Sequence, residues 1–169
     1  MASKALSQIL YDTRWGDLDY LIADLPPGTG DIQLTIAQQV PTTAAVVITT
    51  PQDLALIDAR KGISMFEKVN IPVLGVIENM SYHVCSKCGH KEMIFGEGGG
   101  IKMAQQQGVQ LLGQVPLHIH IREQSDDGVP IVVAEPHSKL AVNYQKIARK
   151  IAASLYFSGK TEPSTIFAV

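Results

Sequence analysis

With 169 residues, a 46% apolar share and a net charge of −2, the chain has the bulk for one domain with a buried core. It carries no basic field that would draw nucleic acid or an anionic membrane surface. No apolar run approaches the ~20 residues of a membrane-crossing helix, and Met1 to Leu10 has neither a long apolar stretch nor a small-residue cleavage site, so neither a membrane anchor nor a signal peptide is expected. Two cysteines are too few for a disulfide framework and point to a reducing compartment, the cytoplasm.

The first predicted strand, Tyr20–Asp24, runs into Leu25-Pro26-Pro27-Gly28-Thr29-Gly30-Asp31. An acidic residue at the carboxyl end of a buried parallel strand sits where such sheets bind ligands. In nucleotide hydrolases that position holds Mg²⁺, usually through water. The Pro-Pro-Gly turn is rigid, and its Gly28 can bring an N–H close to a terminal phosphate. Asp31 then supports the dipole of a helix predicted over Asp31–Gln39. A plain strand–turn–helix junction is the alternative, but the whole octet Asp24–Asp31 is far more specific than a bare Asp-x-Pro.

A strand over Ala44–Thr49 follows, then a helix over Asp53–Val69 that places Leu54, Ile57, Ile63 and Phe66 near one face. Val73–Glu78 is a third strand, with Asn79 just beyond it. An amide there can both donate to and accept from a base edge; a turn-forming Asn is the simpler possibility. A short helix over Gly100–Gln107 and a strand over Leu111–Val115 come next. The last helix, His137–Tyr156, has Leu140, Tyr144, Ile147, Ile151 and Leu155 on one stripe. Three of the strands are nearly continuous apolar runs, as in a parallel sheet covered on both faces. The alternation predicts a doubly wound, mainly parallel α/β domain over residues 1–157 and an irregular tail over 158–169.

A phosphate cradle of the form Gly-x-x-x-x-Gly-Lys-Ser/Thr must accompany the Asp24 motif, and none occurs. Gly96-Glu97-Gly98-Gly99-Gly100 is glycine-rich, but it lacks the Lys-Ser/Thr ending and follows no predicted strand. It reads as a lead into a helix, so the nucleotide site is partial.

Cys85–Gly100 is the one long loop, and long loops in compact domains are usually functional or disordered. Cys85-Ser86-Lys87-Cys88 sets two thiols at a spacing that reaches one metal or cluster. Two sulfurs are half of a four-ligand site. His83 and His90 are rival donors, and a second copy of the chain is another source of cysteines. Tyr82, Ile94 and Phe95 would then pack against that copy and shield a shared cluster. A redox dithiol and two free thiols in a loop are further readings, and the spacing alone does not separate zinc from an iron–sulfur cluster.

Asp24-Leu-Pro-Pro-Gly-Thr-Gly-Asp31, Thr49-Thr-Pro-Gln-Asp53, Gly75-Val-Ile-Glu-Asn-Met-Ser81, Cys85-x-x-Cys88 and Phe95-Gly-x-Gly-Gly99 occur in this order. Together they closely resemble the Mrp/ApbC family of iron–sulfur cluster carriers, P-loop ATPases related to the MinD and nitrogenase iron-protein group. The likeness runs from about Leu6 to Tyr156. It implies a P-loop NTPase-type sheet and an ATP-hydrolysing homodimer in the cytoplasm. Such a dimer holds a 4Fe–4S cluster between subunits and passes it to apo iron–sulfur proteins, with cluster-assembly scaffolds as further partners. It implies that Asp24 is the Mg²⁺-linked acid, Gly28 the γ-phosphate sensor, Asn79 and Pro116 the adenine contacts, and Cys85 and Cys88 the cluster ligands. Arg122 matches a recurring segment and is equally suited to a surface salt bridge.

Family members carry the P-loop upstream of these motifs. The chain therefore looks like the C-terminal portion of a longer protein, with a sheet incomplete at its N-terminal side. In this class the P-loop strand lies beside the Asp24 strand, so its loss is expected to open a gap or draw neighbouring strands together. ATP and Mg²⁺ are then expected only with the P-loop half, and the chain alone is expected to be inactive as an ATPase. The alternatives are a non-enzymatic zinc-binding or dimerisation module built on the Cys pair, and a MinD-like partner-regulating ATPase, which has no need of paired cysteines.

Overall fold

The computed structural model describes residues 8–25, 40, 42–85, 87–158 and 165–168. In chain order the elements are β1 (Leu21–Asp24), β2 (Thr42–Thr49), α1 (Asp53–Lys68), β3 (Val73–Glu78), β4 (His83–Val84), β5 (Lys91–Glu92), α2 (Gly99–Gln106), β6 (Gln110–Gln114), α3 (Ile119–Asp126), α4 (Ile131–Ala134), α5 (Lys139–Phe157) and β7 (Thr165–Ala168). Five strands make one sheet in the order β1-β7-β2-β3-β6, and every pairing in it is parallel. β4 and β5 form a separate antiparallel hairpin.

The doubly wound arrangement follows from the alternation of side chains along β2. Ala45 and Val47 point into one core, where α1 supplies Leu56, Ile63 and Phe66 and α2 supplies Met103 and Ala104. Ala44 and Val46 point into the other, beneath Ile147 and Leu155 of α5. The α5 stripe expected from the sequence lies on this second core, with Tyr144 and Ile151 packed at its margin. Gly113 lets α5 settle directly on β6: a Cβ there would lie 2.4 Å from Ile147 Cγ1.

The predicted α1 face needs correction. Leu54 and Ile57 are 79% and 45% exposed, whereas Ile63 and Phe66 are fully buried. Leu54 and Ile63 are nine residues apart, which puts them on opposite sides of a helix with 3.6 residues per turn. The true stripe is Leu56, Ala59, Ile63 and Phe66. Burying a side chain such as Phe66 contributes ~1.5–3 kcal/mol, whereas an exposed helical pair such as Lys61–Asp58 contributes ~0.2–0.5 kcal/mol. The apolar stripe therefore sets the helix orientation.

The four predicted strands appear within a few residues of their expected bounds, while the helix predicted over Asp31–Gln39 lies outside the described residues. The largest difference is at the C-terminus. Thr165–Ala168, read from sequence as part of an irregular tail, is a strand that pairs with both β1 and β2. It occupies the interior position beside the Asp24 strand, so the sheet there shows neither a gap nor a collapse of β1 onto β2. Thr, Ile and Phe suit a strand, and an unpaired strand edge is a template for whichever segment can reach it.

Candidate nucleotide edge and thiol hairpin

Because all five strands are parallel, their carboxyl ends share one edge of the sheet, where open α/β sheets bind ligands. Asp24 closes β1, Asn79 follows β3, and Pro116 follows β6 by two residues. Asp24 is exposed, Asn79 half-buried and Pro116 buried. Asn79 is held by its own N–H, which donates to Thr49 O at 2.7 Å, and its Oδ1 accepts from Met80 N at 2.9 Å. Its side-chain NH₂ is thus the part left to face a ligand.

The same edge does not bring Asp24 and Asn79 together. β7 and β2 lie between β1 and β3, a lateral separation of roughly 14 Å at ~4.8 Å per strand. The register also staggers them: Asp24 is in line with Ala168, Ala168 with Val46, and Val46 with Gly75, four residues short of Asn79. Among the described residues, Asp24 and Asn79 therefore stand apart on that edge. Gly28 lies outside the described residues.

The glycine-rich segment behaves as a helix lead. Gly98 is left-handed, with φ of 68°, and caps α2. Gly99 lies so close to the turn after β2 that a Cβ would meet Pro51 O at 2.8 Å.

The long loop is more ordered than its composition suggests. β4 and β5 pair His83 with Glu92 and Val84 with Lys91. At the tip, Cys85 N donates to His90 O and Gly89 N donates back to Cys85 O, each at 2.9 Å. Gly89 has φ of 71°, a conformation that turns the chain tightly. Lys91 Nζ covers the Tyr82 ring at 3.9 Å from its centroid. Cys85 is half-buried and Cys88 exposed, and neither forms a disulfide. The Cys85 thiol is held below the ordinary range, first by the backbone N–H of Cys88, then by that of Lys87 and by the Cys88 thiol, against opposing contributions from burial and the Glu92 carboxylate. N–H groups aimed at a sulfur favour its thiolate, the form that ligates metals.

The histidines do not complete this pair. His83 Nδ1 lies 3.3 Å from Leu117 O, on the far strand of a local bridge, and His90 is exposed. Among the described residues no group of three or more His, Cys, Asp and Glu side chains is placed to hold a metal ion. A second histidine cluster lies nearby. His118 Nδ1 accepts from His120 N at 3.2 Å and caps α3, and the His118 and His120 rings meet edge-on. Burial pushes the His118 pKa down, His120 and His83 push it further, and Glu135 opposes them. Arg122 is bound on the surface, with 2.8 Å to Asp126 and 3.3 Å to Glu123.

One feature of the edge was not anticipated. Glu78 is fully buried at the end of β3, with no cation beside it among the described salt bridges. Its carboxylate accepts from Ser81 Oγ at 2.5 Å and Gln114 Nε2 at 2.8 Å on one oxygen, and from Gly100 N at 2.5 Å on the other. The signal available in the sequence was the acidic residue ending the apolar run Val73–Ile77.

A parallel α/β sheet wound on both sides, open at its carboxyl edge, is the architecture that P-loop NTPases share with other doubly wound proteins. The family model described as NUBPL iron-transfer P-loop NTPase matches residues 1–152. The chain belongs to that family. It is 60% identical over 166 residues to the iron-sulfur cluster carrier protein of Escherichia coli K12, covering 98% of this chain and 45% of that protein. It is 50% identical over 155 residues to the mouse iron-sulfur cluster transfer protein NUBPL, covering 92% and 49%. The chain thus spans about half the length of the curated relatives it matches. Among solved structures it is similar to a nucleotide-binding protein from Archaeoglobus fulgidus in complex with ADP, with cobalt found, at TM-score 0.71 and 36% identity, over 82% of this chain and 56% of that one. A likeness to Aquifex aeolicus MinD at TM-score 0.62 and 19% identity, over 89% and 59%, concerns the fold alone.

Proposed function

We propose that this chain carries the cargo-holding half of an iron–sulfur cluster carrier: Cys85 and Cys88 bind one edge of a 4Fe–4S cluster, a second copy supplies the other two thiolates, and the cluster passes to apo iron–sulfur proteins. The observation that carries this reading is the closed turn at Cys85–His90, which sets both cysteines at one hairpin tip, and the lowered pKa of the Cys85 thiol agrees with it. The exposed side chains of Met93 and Ile94, just beyond β5, suit packing between two copies. Four thiolates are the usual ligand set of such clusters, and the names of the relatives favour a cluster over zinc as the cargo. Zinc in a thiolate site is the second reading, supported by the same donor set.

The nucleotide part follows the resemblance. Asp24 holds Mg²⁺ through water, Gly28 meets the γ-phosphate, and Asn79 and Pro116 receive adenine, once a P-loop-bearing segment spans the interval between Asp24 and Asn79. The described chain has no helix long and apolar enough to cross a membrane, and the working compartment we propose is the cytoplasm. The test is anaerobic reconstitution with iron and sulfide. A brown protein with broad absorbance near ~400 nm, about one cluster per two chains and loss of colour in Cys85→Ser or Cys88→Ser is expected. A colourless zinc protein, or a cluster bound by a monomer and lost in His90→Ala, overturns the bridging cluster. Purified chain alone is expected to release no phosphate from ATP; steady Mg²⁺-dependent release abolished by Asp24→Asn overturns the assignment of a partial site.

A further inference from the structure

Both ends of the loop that carries the thiols converge on one buried side chain. On the outgoing limb, Ser81 Oγ donates to Glu78 Oε1 while Ser81 N donates to Val115 O at 2.9 Å. On the returning limb, Gly100 N, in the first turn of α2, donates to Glu78 Oε2. Gln114 Nε2 closes the arrangement from β6 by donating to both Glu78 Oε1 and Ser81 Oγ, each at 2.8 Å. Gln114 is itself tied to α5, since its carbonyl accepts from Asn143 Nδ2 at 2.6 Å. Space at the returning limb is equally tight: a Cβ at Gly100 would lie 2.7 Å from Glu78 Oε2.

A fully buried carboxylate is retained only when its lone pairs are met by donors. Here the donors come from the two ends of the loop and from the neighbouring strand. Glu78 also immediately precedes Asn79, whose N–H is fixed on β2. We infer that Glu78 is a positioning residue: its carboxylate pins both ends of the 81–100 loop to the carboxyl edge of the sheet and so fixes where Cys85 and Cys88 stand relative to Asn79. The inference that this placement serves cargo binding rests on the reading of Cys85 and Cys88 as ligands; the pin itself does not.

Glu78→Gln isolates the carboxylate. It removes the charge and replaces one acceptor by a donor: with the amide oxygen kept on Gly100 N–H, the new NH₂ meets Ser81 and Gln114, which must both turn to accept it. Native-state hydrogen exchange on the metal-free protein is expected to rise about tenfold or more across 81–100, the scale of losing one buried hydrogen bond to a charged group. Amides of β2 and α5 are expected to stay protected. Zinc affinity, read by competition with a chromophoric chelator, and the lifetime of a reconstituted cluster against a ferrous chelator are expected to fall several-fold. Glu78→Gln combined with Gln114→Glu should restore both, because the carbonyl oxygen of the introduced amide again meets Gly100 N–H and its NH₂ meets the introduced carboxylate. Where Glu78→Gln does not fold, Ser81→Ala and Gly100→Ala each weaken one limb and should give the same loop-confined pattern. Exchange that is unchanged, or raised equally throughout the chain, overturns the pin. A loosened loop with unchanged zinc affinity and cluster lifetime overturns its role in placing the thiols. If the unmodified protein takes up neither zinc nor a cluster, the cargo reading fails and hydrogen exchange alone decides the pin.

Discussion

Replacing Gly89 by alanine isolates the turn that brings the two cysteines together. Gly89 has φ of 71°, and its N–H closes the turn on Cys85 O at 2.9 Å. A Cβ at this position would meet no heavy atom within 4 Å, so the substitution acts through the backbone and not through packing. Holding an L-residue in the left-handed region costs ~1–2 kcal/mol. The same change narrows the open ensemble, which returns ~0.4–1 kcal/mol. The net penalty on the closed turn spans about 0–1.6 kcal/mol and centres at ~0.8 kcal/mol, a factor of roughly 4 in the closed population. Zinc affinity measured by competition with a chromophoric chelator is therefore expected to weaken about 4-fold in Gly89→Ala. Asparagine tolerates the left-handed region, so Gly89→Asn is expected to recover most of the loss. The thermal midpoint should barely move, because residues 87–90 of the tip are exposed. Unchanged affinity in Gly89→Ala would show that metal binding does not use the closed turn, and a large fall in the midpoint would show that the tip is part of the core.

In Cys88→Ser, which keeps the backbone N–H of residue 88, the iodoacetamide alkylation of Cys85 is expected to reach half its maximal rate at a pH below that of a free cysteine peptide; an equal or higher midpoint refutes N–H donation to the sulfur. The folded-state pKa of His118 is lowered, so the unfolded chain binds its proton more readily. Stability is then lost as pH falls through the unfolded value near 6.5 toward the lower folded one. Thermal melts at pH 7.5 and 5.5 should show a smaller decline in His118→Asn, which keeps a cap acceptor that does not titrate; an identical decline removes His118 from the account. Gly113→Ala drives a Cβ into Ile147, an overpacking expected to cost ~1–3 kcal/mol. That lowers the thermal midpoint by about 2–12 °C, and adding Ile147→Ala should cost less than the two changes summed; strict additivity would show that α5 shifts freely on β6.

Local pattern was enough to place most of the sheet and the long last helix. Continuous β-branched runs mark β2 and β3, and a stripe repeating every three or four residues marks α5, because each element buries one face regardless of what lies opposite. The residue types of the candidate site are legible for the same reason: an acid closing a strand, an Asn after another and two cysteines three positions apart carry their chemistry locally. The α1 face was misread because Leu54 and Ile57 are as apolar as the residues that are buried. Only the helix phase against β2 and β3 separates Leu54 from Leu56. β7 escaped because a four-residue strand becomes one only where two neighbouring edges are free to pair with it.

The sequence alone determined the class of sheet and showed the acidic Asp24 turn motif and the thiol pair, since these depend on residue type and spacing along one stretch of chain. Tertiary structure decided that Asp24 and Asn79 share an edge without meeting, through strand order and register. It also decided that Cys85 and Cys88 sit at the tip of a closed hairpin and that Glu78 joins Ser81, Gly100 and Gln114. The Glu78 contacts join groups up to 36 positions apart and the β1–β7 pairing joins Asp24 to Ala168, 144 positions apart, and a hydrogen bond within 3 Å carries no trace of itself in the spacing of its partners along the sequence.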